Sequence, residues 1–144
     1  MAAKLDSLTH ELTDRQFPDF FFKINQNWVN DFQRSVGIPI KSDFHNSNNK
    51  VPQVFLACLR DADFYLFDVL GIELAQLLHT TQRFEYLKEA FVGDEIRTSP
   101  RITRVLSKRK SANPFVLLEI TTNFYRNDEV ISRSITTLFV REMS

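Results

Sequence analysis

The sequence predicts an α+β fold: a single antiparallel sheet wrapped around a long central hydrophobic helix, in a chain of 144 residues. Three observations lead there. Helical spacing is confined to the first half of the chain and strand alternation fills the second, without the interleaving that parallel crossovers would require. The composition supplies a core, with 43% hydrophobic residues and 14 Phe, and the length fits one domain rather than two.

Residues 1–16 mix charged and apolar side chains, with Leu5, Leu8 and Leu12 at the spacing of a short helix. They read as a leader of uncertain order ahead of a single domain over 17–144. In "INQNWVNDFQRSVG" the residues Ile24, Trp28, Val29, Phe32 and Val36 share one helical stripe. Asn25 is placed to cap that helix and Gly37 to stop it. A polar loop over 41–50 follows, and Val51-Pro52 leads into "QVFLACLRDADFYLFDVLG". There Phe55, Leu59, Ala62, Leu66 and Leu70 form a stripe that Leu56 and Phe67 widen, so one long helix, buried nearly all round, is expected up to Gly71.

Four strand-like stretches complete the chain: "HTTQRFEYL", "DEIRTSPRITRVLSKR", "PFVLLEITTNFY" and "EVISRSITTLFVRE". In the third, Val116, Leu118, Ile120, Thr122 and Phe124 fall on one face, with Glu119, Thr121 and Asn123 on the other. "SANP" and "RNDE" are turn sequences, which makes the last three strands consecutive antiparallel neighbours. The same order of elements also suits an open sheet packed by two helices.

Eighteen basic and eighteen acidic residues balance, so nothing global points to nucleic acid or an anionic membrane. The single Cys58 makes no internal disulfide and there is no Cys/His cluster, which fits a reducing cytoplasm and disfavours structural zinc. The N-terminus lacks a signal-peptide core and no run reaches about 18 apolar residues, so a soluble, cytoplasmic chain is expected. With three Gly in all, no phosphate-cradling loop is present, nor a G-x-S-x-G elbow.

The segment "LLHTTQRFEYLKEAFVGDEIRTSPRITRV", with "ITTNFYRNDEVISRSITTLFVRE" after it, resembles the N-terminal MaoC-like dehydratase domain. That is the hotdog of type I fatty-acid-synthase-like dehydratases and of (3R)-hydroxyacyl-ACP dehydratase subunits. The resemblance rests on Leu78-His79, Gln82, Phe84 and Tyr86, the Gly93-Asp94 turn and the closing Thr-Thr-x-x-x-Arg strand. It implies a hotdog that pairs side by side into dimers and handles acyl thioesters on coenzyme A or an acyl carrier protein, with no cofactor. Catalytic members carry G-D-x-N-P-[LIV]-H-x-[DE], whose Asp and His do general acid/base chemistry beside the thioester carbonyl. Here Gly37, Pro39, Ile40 and Asp43 keep that frame across a two-residue deletion, the catalytic Asp is missing, and Lys41 falls at the His position. A lysine of ordinary pKa is protonated at neutral pH and is no base. The resemblance thus implies the non-catalytic member of a dehydratase or hydratase pair, with a homodimeric thioesterase or hydratase and a pure acyl-binding module as alternatives.

Asp43 and His45, two apart in the loop, are the candidates for an acid/base pair by another route, or are simply solvated. Asp63 lies inside the apolar arc between Leu59 and Phe67, where a desolvated carboxyl would serve as a base or pair with an arginine. Lys41, Phe55, Leu59 and Asp63 are the candidates for lining a substrate tunnel. His79 is expected to fix the helix-to-strand turn through a hydrogen bond, and Cys58 to sit in the core. Arg97, Arg101, Arg104 and Lys108, with Arg109 and Lys110 beyond them, form a basic set around one hairpin, suited to an acidic carrier protein or coenzyme A phosphates.

Overall fold

Among the described residues five strands, β1 (Phe20–Lys23), β2 (Leu77–Tyr86), β3 (Glu95–Lys108), β4 (Phe115–Arg126) and β5 (Glu129–Arg141), form one antiparallel sheet in the order β1-β3-β4-β5-β2. The computed structural model describes residues 4–37, 50–108 and 112–142. The alternation read in the sequence holds along β4: Val116, Leu118, Ile120, Thr122 and Phe124 are all buried. Asn127, at a φ of 55°, makes the β4–β5 turn. The four residues of β1 were not expected as a strand, because three consecutive Phe conceal the period of two.

Helix α1 spans Gln26–Ser35, and the Asn25 side chain accepts a hydrogen bond from the Trp28 amide at 2.8 Å. This is the expected cap. Replacing Asn25 with Ala should cost about 1 kcal/mol, read as a lower urea midpoint at unchanged slope, whereas Asn25→Asp should keep most of the stability.

The long helix divides in two. Gln53–Cys58 is a 3-10 turn, the chain bends at Leu59 (φ −86°, ψ 74°), and helix α2 begins at Asp61 and runs to Val69. Asp61 and Asp63 occupy its first turn, where carboxylates complement the helix dipole, and this start signal was hidden by the continuous apolar stripe. Gly71 (φ 70°) ends α2: its amide bonds to the Asp68 carbonyl and the Ile72 amide to that of Phe67, the two bonds of a Schellman turn. Burial is one-sided rather than all round. Ala62, Asp63, Leu66 and Phe67 face inward, while Phe64 and Tyr65 are exposed. No helix among the described residues is long and apolar enough to cross a membrane.

Residues 5–14 pack against the sheet. Two 3-10 turns, Leu5–Ser7 and His10–Asp14, bury Leu5, Leu8 and Leu12 against Leu66, Val116 and Val140. A second cluster lies at the other end of the same sheet face, where Val29 of α1 and Phe55 and Leu56 of the 3-10 turn meet Ile96, Phe124 and Ile131. Between them the inner face is polar. Along β4 the inward residues run Val116, Leu118, Ile120, then Thr122, then Phe124, and beside Thr122 stands Ser134 of β5. Two apolar compartments are therefore separated by a polar seam, and the seam holds the first group of candidate residues.

Candidate functional site

The seam is built on the bend before α2. Arg60 directs its guanidinium to three partners: Nη1 donates to Ser134 Oγ at 3.2 Å, Nη2 to Gln82 Oε1 at 3.1 Å, and Nε lies 3.3 Å from Asp63 Oδ2. Thr122 Oγ1 donates to the other Asp63 oxygen at 2.9 Å. Gln82 Nε2 donates to Ser134 Oγ at 2.8 Å, and Thr136 Oγ1 to Gln82 Oε1 at 2.8 Å. Asp63 is thus buried as the sequence implied, at 6% exposure, and paired with an arginine of its own helix start. Burial raises its carboxyl above the ordinary value, while Arg60 and the Thr122 hydroxyl pull it back. Both carboxylate oxygens are occupied. Arg60, Ser134 and Thr136 were missed in the sequence, although Arg60 and Asp63 stand three apart at a helix start and both hydroxyls occupy inward positions of β5.

A cavity of about 480 Å³ lies beside this network, between α1 and the 3-10 turn. Phe22, Trp28, Phe32, Phe55 and Leu59 give it an apolar wall, with the Phe32 and Phe55 rings edge to face at 5.7 Å. The two apolar tunnel candidates, Phe55 and Leu59, thus share one pocket. Asp63 does not line it. Cys58, expected in the core, is exposed at the cavity rim, because the 3-10 turn buries Phe55 and Leu56 on its opposite side. Ser35 also lines the cavity, two residues before Gly37, so the stretch that matches the catalytic loop departs from its edge. Lys41, Asp43 and His45 themselves lie outside the described residues.

His79 is exposed on β2 and makes no side-chain hydrogen bond among the described residues. The helix-to-strand turn is fixed instead by Gln76, whose side chain accepts from the Glu73 amide at 2.9 Å and donates to the Arg141 carbonyl at 3.0 Å. A buried amide holds this corner where an imidazole was expected.

The basic set is brought into line by a β-bulge. The register of β3 against β4 shifts between Ile102 and Arg104, which changes the parity of the strand. Arg97 and Arg101 before the bulge and Arg104 and Lys108 after it therefore share the outer face. Arg97 is committed to Asp19, at 3.1 Å, and lies 4.0 Å over the Tyr125 ring. Arg101 and Arg104 are exposed and in no ion pair among the described residues. Arg109 and Lys110 lie outside the described residues.

The profile of the family described as FAS1-like, dehydratase domain region, matches residues 15–134. The chain belongs to this family. Solved structures share the fold of this chain, a hotdog. The C-terminally truncated HadBC (3R-hydroxyacyl-ACP dehydratase) complex of Mycobacterium tuberculosis matches with a TM-score of 0.67 at 16% identity, over 86% of this chain and 92% of that one. The ChsH1-ChsH2 complex of the same organism gives 0.66 at 10% identity, over 97% and 93%. A MaoC-like dehydratase gives 0.63 at 17% identity, over 88% of this chain and 40% of that one. No curated protein sequence matches significantly.

Proposed function

We propose that this chain is the non-catalytic, acyl-thioester-binding half of a (3R)-hydroxyacyl-thioester dehydratase or enoyl hydratase. The observation that carries the reading is the state of its acid/base groups. Asp63, the only buried carboxylate among the described residues, is held by Arg60 and Thr122 away from the cavity, and the two carboxylates at its edge, Asp31 and Asp61, are exposed, Asp31 paired with Arg34 at 3.3 Å. The loop frame that starts at the cavity edge has Lys41 where the family places its His. The cavity volume falls within the roughly 300–1,000 Å³ of small-ligand sites, and its aromatic wall suits an acyl chain. In this reading Phe32, Phe55 and Leu59 hold the chain along one wall of an open groove. A partner hotdog brings the carboxylate and imidazole that move the water and the α-proton.

Two surfaces support a partner. Among the described residues β2 pairs only with β5, leaving its other edge open, and α2 exposes Phe64 and Tyr65 beside it in sequence order. The HadBC and ChsH1-ChsH2 neighbours are themselves complexes. The substrate is the thioester of coenzyme A or of a carrier protein, with no further cofactor.

Trp28 is the single tryptophan and lines the cavity, so its fluorescence reports occupancy. The purified chain should bind dodecenoyl-coenzyme A by this signal and leave crotonyl-coenzyme A unhydrated. Co-expression with a hotdog carrying the intact Asp-His loop should yield a stable complex, with turnover at least about 10³-fold above the isolated chain. Hydration by the isolated chain at about 1 s⁻¹ or more would overturn the reading. Thioester hydrolysis abolished by Asp63→Asn would favour a homodimeric thioesterase.

A further inference from the structure

The groove between α1 and the Gln53–Cys58 turn carries charge of one sign at its edge. Asp31 of α1 and Asp61, the first residue of α2, both line it, so a carboxylate stands on either wall. Among the described residues no basic side chain lines it. Arg60, next to Asp61 in sequence, turns its guanidinium to Ser134, Gln82 and Asp63 in the seam instead. Arg34 reaches Asp31 at 3.3 Å, but the two side chains are 67% and 74% exposed, where such a pair is weak and leaves both charges in solvent. Asp61 is exposed and in no ion pair or side-chain hydrogen bond among the described residues. The Ser35 hydroxyl, also at the edge, is spent on the Phe32 carbonyl at 2.8 Å. Between the carboxylates lies an aromatic wall in which Trp28 is 48% exposed and Phe32 and Phe55 stand edge to face.

We infer that the groove selects its ligand by charge: it takes an amphiphilic organic cation, an ammonium group on an aliphatic body, and turns away the carboxylate of the same body. The aliphatic part lies on Phe55 and Leu59, as an acyl chain would. The ammonium rests at the edge, where aromatic faces attract a cation, Trp the most strongly, and Asp31 and Asp61 supply the counter-charge. A carboxylate in the same place meets two like charges and no donor side chain with a positive charge. An inorganic cation fits poorly. Among the described residues no three metal-binding side chains gather, and an aromatic wall offers no oxygen ligands. The charge of the edge is independent of whether a thioester enters the groove, since the neutral arm of a thioester meets neither attraction nor repulsion there. A free fatty acid, by contrast, is a poor competitor for its own thioester at this site.

The test uses the full chain and three ligands of one aliphatic length, octyltrimethylammonium, octanol and octanoate, below their micellar concentrations and at neutral pH. Binding is followed by the fluorescence of Trp28. An exposed carboxylate a few ångströms from a unit charge changes affinity only severalfold in water, and reversing the ligand's charge squares that factor. Octyltrimethylammonium should therefore bind at least about tenfold more tightly than octanoate, with octanol between them. Asp31→Asn and Asp61→Asn together should weaken the ammonium and strengthen octanoate until the two lie within about twofold, opposite movements that damage to the fold does not produce. Raising the salt from about 0.05 to 0.5 M should compress the ratio in the same way. Equal or tighter binding of octanoate, or no binding of the ammonium, would overturn the inference. A Trp28 response to dodecenoyl-coenzyme A without one to the ammonium removes charge selection and leaves the thioester reading standing. The reverse result upholds charge selection and removes the thioester reading.

Discussion

A chain lacking residues 1–14 is expected to lose its cooperative thermal transition and its near-ultraviolet circular dichroism. The deletion removes Leu5, Leu8 and Leu12, exposed by only 2%, 2% and 8%, from the compartment that also holds Leu66 and Val140. Truncating one buried Leu to Ala costs about 2–5 kcal/mol, against a typical total stability of about 5–15 kcal/mol for a domain of this size. Losing three Leu at once spends most of that stability and bares the inner face of β3 and β4. The graded form of the experiment is Leu8→Ala, with an expected loss of about 3 kcal/mol in urea unfolding. A truncated chain with an unchanged melting temperature would show the segment to be detachable.

Replacing Arg60 with Met should cost about 3 kcal/mol at neutral pH. The Asp63 carboxylate would then be left in the polar seam without its counter-charge, and breaking a buried pair from one side is the expensive case. The figure is at the low end because the Arg60 side chain is 25% exposed. Changing Asp63 to Asn in the same chain should recover most of the loss, since no buried charge remains. The pH dependence separates this account from simple loss of packing. A carboxyl raised above its ordinary 3.8 in the folded state contributes stability that is complete below that value and is lost as pH rises through the raised one. Without Arg60 the carboxyl rises further. The Arg60→Met deficit should therefore be small near about pH 4 and full at neutrality, and the same substitution made in an Asp63→Asn chain should have an effect that is flat with pH. A deficit equal at both pH values would assign the effect to packing alone.

The sheet was legible chiefly through β4, which alternates from Val116 to Phe124, down to Thr122 on the apolar side, where it proved to face inward. The Asn25 cap and the burial of Asp63 were legible for the same reason: each depends on neighbours within about one helical turn. What escaped the sequence depends on contacts across the chain. The bend at Leu59 is fixed by Arg60 reaching Gln82 and Ser134, 22 and 74 residues away. Leu5, Leu8 and Leu12 became core because the sheet offered them an uncovered end, and His79 lost its expected role because Gln76 reaches Arg141 first. The parity change at Ile102 put Arg101 and Arg104 on one side, which no reading by simple alternation would do.

The seam of Arg60, Asp63, Thr122 and Ser134 also partitions motion. The strands run through both compartments, but their covers are separate: the N-terminal turns and α2 over one, α1 and the Gln53–Cys58 turn over the other. Opening the second cover disturbs Val29 and Phe55 and leaves Leu66 and Val116 in place. The half of the interior that borders the cavity can thus exchange with solvent as its own cooperative unit, while the other half stays closed and keeps the fold registered around it.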